Sequence, residues 1–196
     1  MGVAIPQVIT PDSASGAQVI NGSMLFTGDN YLTRTPGSAT NRKTWTFSAW
    51  VKRWACLDES SNYSTIFGAN SDGMELFFLD DGSLSFYDYS GGGYQARLVT
   101  TERFRDPTGW YHIVAVSDTT DALDSFRWRL YVNGKRITKF GTEVYPSVNY
   151  DTGVNSTGLH VLGRYGTGAD TVRKAKLYQT NNYLIDGLAL GPGYFG

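Results

Sequence analysis

At 196 residues the chain is long enough to bury a full hydrophobic core as one domain. A formal net charge of −1, with Lys and Arg scattered, supplies no field to hold a phosphate backbone and excludes nucleic acid as a main partner. Gly at 23 residues and aromatics at 14%, set against few Lys, Glu and Ala, favour turns and pleated strands and define an all-β class.

Residues 1–20 carry Pro6, Pro11 and the run Ser13-Ala14-Ser15-Gly16, yet also Val3, Ile5, Val8, Ile9, Val19 and Ile20. That is too apolar for a plain linker. An extended arm of this kind frays, packs on its own domain, or adds as a strand to a neighbouring subunit, and the three stay open. We take 1–20 as an assembly arm and 21–196 as the folded domain. The start has neither a basic leader nor a long apolar core, and Pro6 breaks a myristoylation motif. Cys56 is the sole cysteine, so an intrachain disulfide is excluded. These features give the expectation of assembly in a reducing cytosol, and no apolar stretch long enough to span a bilayer argues against membrane insertion.

From residue 24 onward, strand-like runs alternate with turn signals. Strands are expected at 24–34, 45–52, 64–69, 94–100, 111–117, 159–164 and 182–190, about a dozen in all once hairpins are added, and no helix. The run 45–52 places Trp45, Phe47, Ala49 and Val51 on one side, whereas 111–117 is apolar on both sides and so central in a sheet. Asp80-Asp81-Gly82 reverses a hairpin between Gly73 and Tyr89, with Leu84 and Phe86 inward and Ser85, Tyr87 and Tyr89 outward. In 126–132, alternation sends Phe126, Trp128, Leu130 and Val132 to the core and Arg127, Arg129 and Tyr131 to solvent. Asn133-Gly134 then turns the chain into a returning strand, 135–140.

Several of these patterns, taken in order, resemble the laminin-G-like branch of the concanavalin A-like lectin and glucanase superfamily. They are Phe26-Thr27-Gly28, Trp45 to Lys52, Ile66-Phe67-Gly68, Trp110-Tyr111-His112-Ile113, and Leu130 to Gly134. The resemblance implies a two-sheet antiparallel jelly roll. The ending, Tyr183 to Leu190 followed by Pro192 and Phe195, resembles the last strand of such domains in virion proteins of tailed phages, especially marine ones. That implies a virion part made in a bacterial cytoplasm: a tail fibre, an adhesin or a head decoration, with other virion proteins and further copies of itself as partners. A homo-oligomer, with a trimer as the symmetric choice, follows from the same analogy.

A glycosidase needs two carboxylates about 5 to 9.5 Å apart, while Glu59, Glu75, Glu102 and Glu143 are far apart in sequence and the glucanases' Glu-x-Asp-x-x-Glu motif is absent. His112 and His160 lack metal-ligand spacing, and Cys56 has no base in its sequence neighbourhood. Calcium is the family's usual cofactor, and Asp80-Asp81 and Asp118 to Asp124 are the oxygen-rich turns. Aspartate more often bonds its own turn, so no metal or other cofactor is expected. Asp186 shares a face with Leu184 and Leu188 and is expected to be tied to backbone donors. Candidate contact residues are Tyr87, Tyr89 and Tyr94 around the Gly91 to Gly93 turn, and Arg127, Arg129 and Tyr131 on another strand. Tyr and Arg serve both sugar stacking and subunit interfaces, and the interface is favoured here. The readings that follow are a non-enzymatic virion protein first, a lectin module that binds host-surface glycan second, and a polysaccharide-degrading enzyme third.

Overall fold

A computed structural model describes residues 21–54, 63–69, 73–165 and 173–195. Val3, Ile5, Val8, Ile9 and the rest of the arm, together with Cys56, lie outside these residues. The first strands are β1 (Met24–Thr27), β2 (Leu32–Arg34), β3 (Thr44–Arg53), β4 (Ser64–Ala69), β5 (Met74–Phe78), β6 (Ser83–Ser90) and β7 (Gly93–Arg103). They are followed by β8 (Tyr111–Asp118), a helical turn α1 (Asp124–Arg127), β9 (Trp128–Val132), β10 (Lys135–Arg136), β11 (Phe140–Val144), β12 (His160–Leu162) and β13 (Lys176–Asp186). A six-stranded sheet runs β1-β13-β3-β8-β9-β10, and a seven-stranded sheet runs β11-β7-β6-β5-β4-β12-β2. Their pairings are antiparallel. The chain is therefore an all-β, two-sheet jelly-roll sandwich.

Alternation builds the core. Trp45, Phe47, Ala49 and Val51 of β3 are buried, as are Leu84 and Phe86 of β6, and β8 lies between β3 and β9. Aromatic rings bridge the sheets: Phe86 stacks on Trp128 at 3.8 Å, Trp45 meets Phe86 edge-on, and Phe47 stacks on Phe67 at 4.5 Å. Burial of each such side chain contributes about 1.5 to 3 kcal/mol. Asn133 and Gly134 have φ of 50° and 76°, the positive pair that a tight hairpin needs, and Asn133 Oδ1 accepts the amide of His112.

Four expectations are corrected. The run 24–34 is two strands in different sheets: Asn30 bonds the Thr27 amide and the Leu25 carbonyl, Gly28 takes φ 102°, and the chain crosses over. Phe126 is not a core strand residue, because α1 interrupts the alternation and leaves it 38% exposed beneath the Arg136 guanidinium. The returning strand is Lys135 and Arg136, followed by the Ile137 amide on the Leu130 carbonyl, and Phe140 begins a strand of the other sheet. The last strand spans 176–186 rather than 182–190. Gly187, at φ 78°, turns the chain out, and Thr46 Oγ1 then holds it by bonds to the Leu188 carbonyl and the Leu190 amide.

Candidate functional site

The register of β4 to β7 sets Gly68, Glu75, Tyr87 and Arg97 in one row across the seven-stranded sheet. Their strand neighbours Phe67, Leu76, Phe86 and Leu98 belong to the core, so the row lies on the outer face. Glu75 is fully buried there. Thr65 Oγ1 donates to its Oε1; Tyr87 Oη and Arg173 Nη1 donate to its Oε2, each at 3.0 Å. Arg173 also donates to Tyr87 Oη at 2.7 Å, and its guanidinium lies 4.3 Å over Tyr165 and within 5.8 Å of the Tyr63 and Phe77 ring centres.

Burial pushes the Glu75 carboxyl up to about 7, outweighing the stabilising bonds from Thr65, Arg173 and Tyr87. Burial and the neighbouring Glu75 charge raise Tyr87 as well. Burial alone pulls Arg173 down, but Glu75 and Tyr87 hold it above its ordinary value. Every group in this cluster is engaged by another, and Tyr87 is held by both Glu75 and Arg173. The Tyr87 ring meets Tyr94 edge-on at 5.5 Å, Tyr94 meets Tyr89 edge-on at 5.2 Å, and Arg97 covers the Tyr94 ring at 4.6 Å. Tyr89 and Tyr94 are 43% and 46% exposed, and present apolar faces with polar tips to solvent.

The six sequence-derived contact residues do not converge. Tyr89 and Tyr94 lie together and exposed, whereas Tyr87 is on the expected face but only 5% exposed, as foundation rather than contact. Arg129 and Tyr131 lie on the outer face of the other sheet, beside Val116 and Val114, and are half-buried. Arg127 is not on a strand: in α1 it donates to the carbonyls of Asp121, Ala122 and Pro146, which ties a loop. Sequence reasoning missed Glu75, Arg97 and Arg173. A lone glutamate in the apolar run Met74-Glu75-Leu76-Phe77 was the available signal, and Arg173 had none.

Other titratable groups have structural partners. His160 Nε2 accepts the Asn155 amide and Nδ1 donates to the Gly158 carbonyl, a neutral tautomer that burial favours. His112 Nε2 bonds Ser48 Oγ, its ring stacks on Trp50 at 4.8 Å, and burial lowers its pKa. Asp81 accepts from the Ser83 amide and hydroxyl, Asp118 from Thr120, and Asp121 from the Leu123 amide. Asp186 Oδ1 accepts the Asn41 amide and Asn155 Nδ2. Among the described residues no three His, Cys, Asp or Glu side chains gather as metal ligands.

Comparison with known proteins agrees with the fold. Residues 26–176 match the third laminin-G model of the concanavalin A-like lectin/glucanases superfamily. No curated protein matches the chain in sequence. Among solved structures it is similar to a heptameric SAP-like pentraxin from Limulus polyphemus (16% identity, TM-score 0.56), over 85% of this chain and 76% of that one. It is also similar to a Trypanosoma rangeli sialidase in complex with 2,3-difluorosialic acid (15% identity, TM-score 0.54), where it covers 89% of itself and 26% of the sialidase. The CBM40 of the Ruminococcus gnavus IT-sialidase, bound to α2,3-sialyllactose, gives 13% identity and a TM-score of 0.50 over 84% of this chain and 95% of that one.

Proposed function

The chain belongs to the concanavalin A-like lectin/glucanases superfamily, and from that premise we propose that it is a non-enzymatic structural and adhesive protein of a tailed-phage particle. It acts by contact. The Tyr89 and Tyr94 face meets protein or host-surface glycan, and residues 1–20 join the domain to other virion proteins and to further copies of itself. The observation that carries this reading is the tyrosine pair, exposed yet held at fixed angles by Tyr87 and Arg97. Rings already ordered lose little freedom on binding, which favours affinity.

Against catalysis stands the state of Glu75, whose partners Thr65, Tyr87 and Arg173 include no second carboxylate. The sialyllactose-bound CBM40 supports glycan contact, and the heptameric pentraxin supports assembly. The virion setting draws its support from the resemblance of residues 183–196 to the last strand of phage virion domains.

Immunogold electron microscopy with antibody against the chain tests the setting. Label at the tail tip marks an adhesin, label over the head marks a decoration, and unlabelled particles overturn the virion reading. Binding to host cells or their envelope glycans tests the face: a Tyr89→Ala, Tyr94→Ala double variant is expected to lose at least about tenfold in affinity, equivalent to about 1.4 kcal/mol, at unchanged Tm. Full binding by that variant overturns the assigned face.

A further inference from the structure

β1 and β2 are the terminal strands of their sheets, and on that side of the sandwich a groove opens between the sheets. Its apolar end, about 350 Å³, is lined by Leu32, Phe47, Phe67, Leu162 and Leu184. A polar end of about 270 Å³ continues past Arg34 to Asn155 and Asp186. Leu32 and Leu184 are 49% and 36% exposed, and Arg34 forms no ion pair among the described residues.

Among the described residues both walls offer open strand edges. β2 pairs, among the described residues, with β12 alone. Among the described residues β13 pairs with β1 over Lys176–Gln179, and the stretch Tyr183–Asp186, beyond the shift in the β3 pairing between Thr180 and Tyr183, pairs with β3 alone. An apolar edge of this kind invites another strand, and native proteins cover such edges.

We propose that this groove accepts the N-terminal arm of a second copy as an added strand. The inference deepens the assembly reading above and rests on it. Thr180 Oγ1 donates to the Gly22 carbonyl at 2.7 Å, so the arm leaves the domain at the mouth of the groove. The described β1 ladder on β13 ends with Met24 opposite Gln179, which leaves Tyr183–Asp186 without a described partner on that edge. The period of a strand puts Val3 and Ile5 on one face, suited to the apolar end beside Leu32 and Leu184, while the main chain pairs with the open edge. The arm's one charged side chain, Asp12, is opposite in sign to Arg34. Reciprocal exchange of arms closes the contact on itself.

Sedimentation velocity of the full chain over a wide concentration range is the test. The wild-type chain is expected to form an oligomer, and Leu184→Lys in the groove or Ile5→Asp with Ile9→Asp in the arm to leave monomers that melt as folded domains. Leu32→Lys is the second groove variant, used if Leu184→Lys does not fold. Mixing a groove variant with the arm variant is expected to restore association, because each supplies what the other lacks. A wild-type chain that is monomeric throughout, variants that keep the oligomer, or a mixture that stays monomeric overturns the proposal. Glycan binding and particle labelling are separate measurements, so failure of exchange is distinguishable from failure of the adhesive reading.

Discussion

Glu75→Gln should stabilise the domain above neutral pH and leave it nearly unchanged in mild acid. The folded carboxyl is fully buried and titrates at about 7, against 4.5 for an ordinary glutamate. The folded state therefore binds the proton more tightly than the unfolded chain. Stability from this group is full below the unfolded pKa and is lost as pH rises through the folded one. The interval from 4.5 to about 7, at about 1.4 kcal/mol per pH unit, amounts to a loss on the order of 3 kcal/mol. Glutamine keeps a neutral side chain of nearly the same shape and escapes that loss, and the Arg173 side chain it leaves without a carboxylate is 28% exposed, so its charge stays hydrated.

The assay is urea unfolding followed by tryptophan fluorescence at about pH 5 and about pH 8, chosen to bracket the folded pKa. His112, His160 and Asp88 also have shifted pKa values, but they are common to both proteins and cancel in the difference. The variant is expected to match wild type at the lower pH within about 1 kcal/mol and to exceed it by up to about 3 kcal/mol at the higher. Arg173→Ala should do the opposite, with a loss of up to about 3 to 5 kcal/mol concentrated at the higher pH, where Glu75 must ionise without its cation. Equal pH slopes in wild type and Glu75→Gln, or a variant weaker than wild type at the higher pH, would refute the reasoning.

Phe126→Ala should cost less than about 1 kcal/mol and Trp128→Ala about 3 to 5 kcal/mol in the same assay, because one ring is at the surface and the other is stacked in the core. Similar losses for both would restore the strand alternation that α1 breaks. Gly163→Ala should cost about 2 to 5 kcal/mol by thermal or urea melting, since φ is 86° and a Cβ there would enter the Phe26 ring. A loss under about 1 kcal/mol would mean that this turn is not fixed as described.

The parts of the fold legible in sequence are those that local periodicity determines. Trp45, Phe47, Ala49 and Val51 alternate because a pleated strand between a core and a covered face demands it, and Asn133-Gly134 turns because few residues tolerate two positive φ angles in succession. Phe126 and Arg127 continue the same alternation on paper, yet three carbonyl groups contributed by loops capture the Arg127 guanidinium and hold the segment as α1. Exposure was less legible than face. Tyr87 points outward as alternation requires, but Arg173, 86 residues further on, covers it. Nothing near either residue encodes that meeting. Tyr89 and Tyr94 were readable because a glycine turn joins them, while Tyr131 and Arg129 looked equivalent until the strand order put them on the opposite sheet.

The two outer faces are used differently, and this connects stability to contact. On the six-stranded sheet Val114 and Val116 are fully buried although they point away from the core, the chain after Gly187 is tied to Thr46, and Phe195 meets both His112 and Tyr183 edge-on or tilted. On the seven-stranded sheet the same position is held by a buried carboxylate, which destabilises the domain above neutral pH and whose visible product is a fixed Tyr87 beneath Tyr94. A domain selected for stability alone would lose little if Glu75 and Arg173 were both replaced by well-packed apolar side chains, since such replacements commonly equal or better a buried pair. What the ion pair holds in place is Tyr87, beneath Tyr94. It follows that Arg173→Ala, measured in mild acid where Glu75 is neutral and the domain stays folded, should still weaken ligand binding through Tyr94. Unchanged binding there would mean that the tyrosine pair needs no support from beneath, and would leave the buried charge without a role in contact.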